Sequence, residues 1–369
     1  MMRELLDVLE RIRSLHADGR EAALATVIAT SGSTYRRPGA RMLIAGDDVI
    51  GAISAGCLED EIIARAHDVI AHGRPTLIGF DTREEMDKVA GTGLGCRGTI
   101  EVFIEPLIPD GAGLSVYDRL RRALTDERSC QLGLVAASDV PNLPAGHSIL
   151  RVDGSPVEGE LFGAGWEANL NSLLADGPTA TGTLELADGT VRVYAESIEP
   201  SARLVVFGAG FDAVPLAQLA DQMGFRVTVV DPRENYLTPE RFPGAERLNR
   251  HPQDRLDDLA LKESTCAVVM THNYFHDLEI LKRVLPSGVG YVGQMGPRDR
   301  TEELLSDLEE SIGPISEEML GKLHGPIGLD VGAETPEEIA LSIVSELLAV
   351  RRDREAGFLR ERHAPIHSH

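Results

Sequence analysis

Aromatic residues make up only 4% of this 369-residue chain, with a single tryptophan, Trp166. That scarcity excludes the row of ring faces on which single-stranded nucleic acid stacks. Lysine is nearly missing too: Lys88, Lys262, Lys282 and Lys322 are the whole set, so arginine supplies almost all the positive charge. With 36 basic residues against 59 acidic ones, the net charge is −23, which opposes a polyanionic partner. Cysteine is limited to Cys57, Cys96, Cys130 and Cys266. Thiols this few and dispersed make no disulfide framework, and without a C-x-x-C pair they make no structural zinc site. No uncharged apolar run approaches the ~18 residues of a membrane span. The opening MMRELLDVLERIRSL sets Leu5, Leu9 and Ile12 at helical spacing between charges and lacks the apolar core of a signal peptide. A cytoplasmic, soluble protein with reduced thiols is expected, with no nucleic-acid or membrane partner.

The chain is 43% hydrophobic and 26% charged, enough apolar material for a sizeable core, and its length suggests two domains. After the first helix, Ala22–Thr30 reads as a buried strand, and Arg41–Ala45 and Val49–Ser54 as two more. A helix follows over Leu58–Ala71, then strands at Pro75–Phe80 and Thr99–Ile104, a helix over Leu114–Leu124 and a strand near Leu132–Ala137. Asp139–Thr181, rich in Gly, Pro and Asp, gives no clear element. Strands at Gly182–Leu186 and Val191–Glu196 close the first half, and Ser197–Ala202 reads as a linker. Beyond it strand and helix alternate: strands at Arg203–Phe207, Arg226–Val230, Ala267–Met270 and Val289–Val292, helices over Asp212–Met223, Asp254–Leu261 and Asp277–Val284. The expectation is an α/β protein: an N-terminal α/β domain with a mixed sheet over 1–198, and a C-terminal Rossmann-type, doubly wound parallel sheet over 199–369.

The sharpest motif is RLVVFGAGFDAVPLAQLADQMGFRVTVVD. Gly208, Gly210 and Ala213 form G-x-G-x-x-A between an apolar strand and a helix. The first glycine permits the tight turn, the second clears the approach of a pyrophosphate, and Ala213 lets helix and strand pack closely. Asp231 ends the second strand, where a carboxylate can accept ribose hydroxyls. NAD(P) or another dinucleotide is the ligand this pattern suits; a Rossmann scaffold that has changed its ligand is the alternative. Ligands of such sheets bind beyond the carboxyl ends of the strands, so Thr271–Asn273 with His276 and Asp277, and Gly293–Pro297 with Arg298 and Arg300, are candidate walls. His272 is either a ligand-facing or a capping residue; Arg298 and Arg300 read as a solvated helix face or an anion clamp. The loop Pro326–Gly332, with Gly328 and Asp330, is a further wall. Thr335, Pro336 and Glu338 after it form a capping box with proline at the first helical position.

Two cysteines in the first half lie in unusual segments. Cys57, after Gly56, sits at the start of a helix, whose amides favour a thiolate although Glu59, Asp60 and Glu61 oppose it. Cys96 lies in GTGLGCRG among Gly91, Gly93, Gly95 and Gly98, beside Arg97; glycines this dense hold backbone close to something, an anion nest being one option. For each thiol the alternative is a small buried hydrophobe. The loop TSGSTYRRPGARM offers the hydroxyls of Ser31, Ser33 and Thr34 with Arg36, Arg37 and Arg41. That combination suits a phosphate group and equally suits a hairpin connection.

Together, ATVIATSGSTYRRPGARMLI, VIGAISAGCLEDEI and GTGLGCRGTIEVFIEP resemble the successive motifs of the XdhC/CoxI family, the xanthine dehydrogenase accessory factors. RLVVFGAG, VTVVDPR, VVMTHN, YVGQMGPR and PIGLDVGAETPEEIALSI extend the likeness to essentially the whole chain. The resemblance implies a chaperone that binds the molybdenum cofactor (molybdopterin), protects it or assists its sulfuration, and delivers it to a molybdenum hydroxylase of the xanthine dehydrogenase type. A cysteine desulfurase and a second copy of the chain, as a homodimer, are the other partners expected. Cys57 and Cys96 would hold molybdenum or carry sulfur, with Arg36, Arg41, Gly56, Gly95, Gly208, Gly210, Ala213, Asp231, His272, Gly328 and Asp330 around the cofactor in a cleft between the cysteine loops and the Rossmann strand ends. Two departures stand out: Phe211 and Asp212 replace the family's usual residues in the phosphate turn, placing an acid beside a pyrophosphate, and Arg97 stands where a small or amide residue is more common. An NAD(P)-dependent oxidoreductase and a purely structural assembly factor are the rival readings.

Overall fold

The computed structural model describes residues 2–81, 97–109, 112–153, 166–259 and 261–363. The chain divides into two units, Met1–Pro200 and Ser201–His369.

In the first unit the order is α1 (Met2–Ala17), β1 (Ala22–Ser33), β2 (Arg41–Ala45), β3 (Asp48–Gly51), α2 (Glu59–His72), β4 (Thr76–Asp81), β5 (Arg97–Leu107) and α3 (Ala112–Thr125). It continues with β6 (Cys130–Ser138), β7 (Ser148–Val152), α4 (Trp166–Leu173), β8 (Thr179–Leu186) and β9 (Gly189–Ile198). The expected mixed sheet is corrected to two sheets, β3-β2-β1-β5-β4 and β7-β6-β9-β8, in which every described pairing is antiparallel. The reason is local: two-residue turns join β2 to β3 and β8 to β9, and a connection that short reverses the chain. From Ala22 to Ile28 β1 is apolar except at Thr26, because both faces of this part are covered. Ala22 and Leu24 pack with α1 and α3, while Ala23, Ala25 and Val27 pack with Ile62, Ala66 and Val69 of α2. The stretch that gave no element in sequence contains β7 and α4.

The second unit is β10 (Arg203–Phe207), α5 (Ala213–Gln222), β11 (Arg226–Asp231), β12 (Glu246–Asn249), β13 (Cys266–Val269), α6 (Tyr274–Val284), β14 (Tyr291–Gln294), α7 (Arg298–Ile312), α8 (Glu317–Gly321), β15 (Leu323–His324) and α9 (Pro336–Arg351). Among the described residues all its pairings are parallel, in the order β12-β11-β10-β13-β14-β15. Leu204 and Val206 face α5 and α9 on one side of the sheet; Val205 and Phe207 face α6 and α7 on the other. The sheet is doubly wound, as expected, and the strand order reverses between β10 and β13, which opens a crevice at their carboxyl ends. The helix expected over Asp254–Leu261 is absent as such. Leu256 and Leu259 are three apart, and a single 3-10 turn at Asp257–Leu259 buries both. The strand expected at Val289–Val292 lies two residues further on, and α6 starts at Tyr274 because Asn273 caps it through its bond from His276 N.

Candidate functional site

The Cys57 turn is built by Ser54 and Glu59. Ser54 Oγ accepts the N–H groups of Gly56, Cys57 and Leu58 at 3.2, 3.1 and 3.2 Å and donates to the Glu59 carboxylate. Glu59 also accepts from Ser54 N at 2.9 Å and Leu58 N at 3.1 Å. Burial works against the charge of Glu59, but the Ser54 hydroxyl and these amides outweigh it and lower its pKa. The amides of the turn that leads into α2, Gly56 to Leu58, are therefore engaged by the chain's own side chains, and Cys57 itself precedes the helix. What the turn presents outward is the Cys57 thiol, which is exposed and lies 3.4 Å from Ser54 Oγ. Gly56, at φ +100°, borders open space, with no atom within 4 Å of a Cβ built there. Cys130 and Cys266 are buried, and burial pushes both thiols up to about 11. Gly95 and Cys96 lie outside the described residues.

The arginine loop differs from expectation. Arg41 is 4% exposed and runs from β2 to the second sheet, where its Nη2 meets Glu196 Oε2 at 2.5 Å; its Nη1 donates to Gly39 O, in the loop before β2, at 3.0 Å. Arg36 is half-buried, with Nη2 2.5 Å from both carboxylate oxygens of Glu4 in α1. Neither guanidinium stands open as a phosphate grip, and Arg37 is also engaged. One signal pointed this way: in RMLIA, period 2 puts Arg41 on the same face as Leu43 and Ala45, which pack into the core. The carboxylate that receives it comes from 155 residues away, and nothing local announces it.

In the second unit the glycine loop stands at the switch point. Gly208 has φ +120°, and a Cβ there would meet Met270 O at 2.5 Å, so the β10 and β13 ends touch through this glycine. Ala213 is fully buried at the start of α5. Asp231 is 2% exposed, and its carboxylate already takes four hydrogen bonds from the chain: Ala209 N (2.7 Å), Arg233 N (2.8 Å), Arg233 Nε (2.9 Å) and Arg233 Nη2 (2.7 Å). Burial opposes its charge, but Arg233 and the two amides lower its pKa overall. Arg241, unnoticed in the sequence, braces the loop from behind through Ala209 O (2.9 Å) and Gly210 O (3.0 Å), with Tyr236, Phe242 and Phe211 around its guanidinium.

His272 is exposed, and its Nε2 meets Asp212 Oδ2 at 2.6 Å. Arg300 pairs at 2.7 Å with Asp277, which is 1% exposed and also receives the Thr271 hydroxyl at 2.5 Å; Arg298 is exposed. Gly328 gives its N–H to Glu346 Oε2 at 2.5 Å, and a Cβ on it would lie 2.5 Å from Ser342 Oγ, so it seats the 326–332 loop on α9. Asp330 is exposed, and the capping box of Thr335 and Glu338 is present as read. Among the described residues no group of three His, Cys, Asp or Glu could hold a metal ion, and no helix is long and apolar enough to cross a membrane.

The profile of the XdhC and CoxI family matches residues 15–81, and that of the XdhC Rossmann domain matches residues 204–347. The chain is 34% identical over 343 residues to a probable xanthine dehydrogenase subunit of Bacillus subtilis (strain 168), covering 92% of this chain and 96% of that protein. The chain belongs to the XdhC/CoxI family. A further relative is the molybdenum cofactor insertion chaperone PaoD of Escherichia coli (strain K12), 22% identical over 91% of this chain and 86% of PaoD. A Bacillus halodurans protein solved as a xanthine dehydrogenase shares the fold with a TM-score of 0.77, at 28% identity over 94% of this chain and 96% of that one. Within this XdhC/CoxI chain, then, the outward thiol of Cys57 and the closed glycine loop are the two features that chemistry has to explain.

Proposed function

We propose that this chain is a molybdenum-cofactor insertion chaperone that serves a molybdenum hydroxylase of the xanthine dehydrogenase type. Kinship with PaoD over 91% of the chain and with the Bacillus subtilis protein over 92% supports the cargo and the client. The observation that carries the chemistry is the exposed thiol of Cys57 on a turn whose amides are already satisfied. A thiolate is a soft ligand, suited to molybdenum and able to hold a persulfide received from a cysteine desulfurase. The bound cofactor would supply the molybdenum and its pterin; the chain's part is to hold and shield it. Cys57 fits such a group, being exposed beside an open glycine. Arg36 and Arg41 do not fit the role of holding its phosphate while they are paired with Glu4 and Glu196.

The test is molybdenum and pterin analysis of protein purified from a cell that makes the cofactor. Wild type is expected to carry both at near-stoichiometric levels. Cys57→Ser should keep its stability to within about 0.5 kcal/mol, as exposed positions do, and lose at least nine-tenths of the bound molybdenum. Cys130→Ser, at a buried thiol, should show the opposite pattern: a loss of about 1–3 kcal/mol in stability with loading retained by the folded protein. Wild-type protein free of pterin and molybdenum, or Cys57→Ser loaded like wild type, would refute the proposal.

A further inference from the structure

The glycine loop of the second unit holds a feature that cofactor insertion does not use. A loop of this pattern, at the switch point of a doubly wound sheet, receives a diphosphate: helix amides point at it, and the second glycine clears room for its oxygens. Here the room is filled from within. A Cβ built on Gly210 would lie 2.5 Å from Asp212 Oδ1, so the space the glycine clears holds a carboxylate oxygen. That same oxygen accepts the N–H of Ala213, the first residue of α5, at 3.0 Å. The other oxygen, Oδ2, receives His272 Nε2 at 2.6 Å from across the crevice. His272, beyond Met270 and Thr271 at the end of β13, adopts a left-handed backbone, φ +58°, and the pair leaves Asp212 only 12% exposed. Arg241 fixes the loop in this form by holding the carbonyls of Ala209 and Gly210. The acid that would take the ribose, Asp231, is engaged by Ala209 and Arg233.

The dinucleotide that the fold implies therefore does not fit. We infer that Asp212 is the built-in anion of this loop, tied to α5 and to His272, and that it closes the loop to a nicotinamide dinucleotide or any other nucleoside diphosphate. A diphosphate would have to displace this carboxylate or lie against it, like charge against like, at a helix end already capped. In this chain the G-x-G-x-x-A sequence thus marks a structural joint between β10, α5 and the β13 end.

The test uses the full chain with ADP and NADH as probes, followed by calorimetry for ADP and by nicotinamide fluorescence for NADH. Wild type should show no saturable binding up to millimolar ligand. Asp212→Gly restores an uncharged turn and should bind ADP at least tenfold more tightly than wild type. Asp212→Ser keeps a capping oxygen without the charge and should behave likewise, so the outcome does not hang on the folding of one variant. Far-UV circular dichroism checks that both are folded. Micromolar binding by wild type, or equal affinity of wild type and both variants, would overturn the inference. Molybdenum loading through Cys57 is read separately, so either conclusion can fail without the other.

Discussion

If Arg41 ties the two sheets of the first unit together, removing its charge should be among the most damaging single changes in that unit. Arg41 and Glu196 are 4% and 5% exposed at the side chain, with 2.5 Å between Nη2 and Oε2. Arg41→Leu would leave the Glu196 carboxylate buried without its partner, at a cost of about 3–5 kcal/mol. The double substitution Arg41→Leu with Glu196→Leu removes both charges and fills the space with apolar atoms. Such replacements of a whole buried pair are neutral or stabilising, by about 1–4 kcal/mol, when they pack well. The double variant should therefore recover most of what the single one loses, a coupling energy of at least about 2 kcal/mol. Because the chain has two units, the measurement should be local: hydrogen exchange read by mass spectrometry on peptides from β1, β2 and β9, with α5 and β13 peptides as the internal reference. Protection of the first set should collapse in Arg41→Leu, return in the double variant, and stay unchanged in the second set. Unchanged protection in Arg41→Leu, with cofactor loading lost, would refute the reasoning and return Arg41 to the role of a phosphate ligand.

A second expectation concerns pH. Glu105 is buried, and desolvation pushes its pKa up to about 7 although the Tyr117 hydroxyl donates to it and Arg41 carries a charge nearby. In the unfolded chain a glutamate titrates near 4.3. Between those values the folded unit holds a proton that the unfolded chain has released. The stability linked to Glu105 is thus fully present below the lower value and is lost as pH rises through about 7. Urea titrations at about pH 5 and 8 should show wild type losing about 2 kcal/mol more than Glu105→Gln, which has no charge to gain; parallel curves for the two would refute the assignment. A third concerns Gly328, at φ +107° with Ser342 Oγ 2.5 Å from the position of a Cβ. Gly328→Ala should lower the stability of the second unit by about 1–3 kcal/mol, and a loss below about 0.5 kcal/mol in thermal or urea unfolding would show that the loop has room.

The sequence by itself determined the elements whose causes are local. The period-2 and unbroken apolar runs placed β1, β2 and β10; the 3.6 period of Leu5, Leu9 and Ile12 placed α1; Thr335, Pro336 and Glu338 placed the start of α9. The alternation of strand and helix after residue 200 carried the doubly wound sheet, since parallel strands need crossovers of that length. The motifs carried the family. What each polar side chain does was decided only by the tertiary structure. Arg36 and Arg41 looked like phosphate ligands until the fold brought Glu4 and Glu196 to them from 32 and 155 residues away. Asp212 looked like an intruder beside a pyrophosphate until His272, 60 residues further on, closed over it. The first unit's sheets had to be seen to be separated, because pairing partners such as β6 and β9 lie far apart in the chain and strand periodicity says nothing about which edge a strand will join. Backbone pattern is written in neighbours along the chain. Charge pairing is written between residues that only folding makes neighbours, and that is why the scaffold was legible and the fate of its arginines and acids was not.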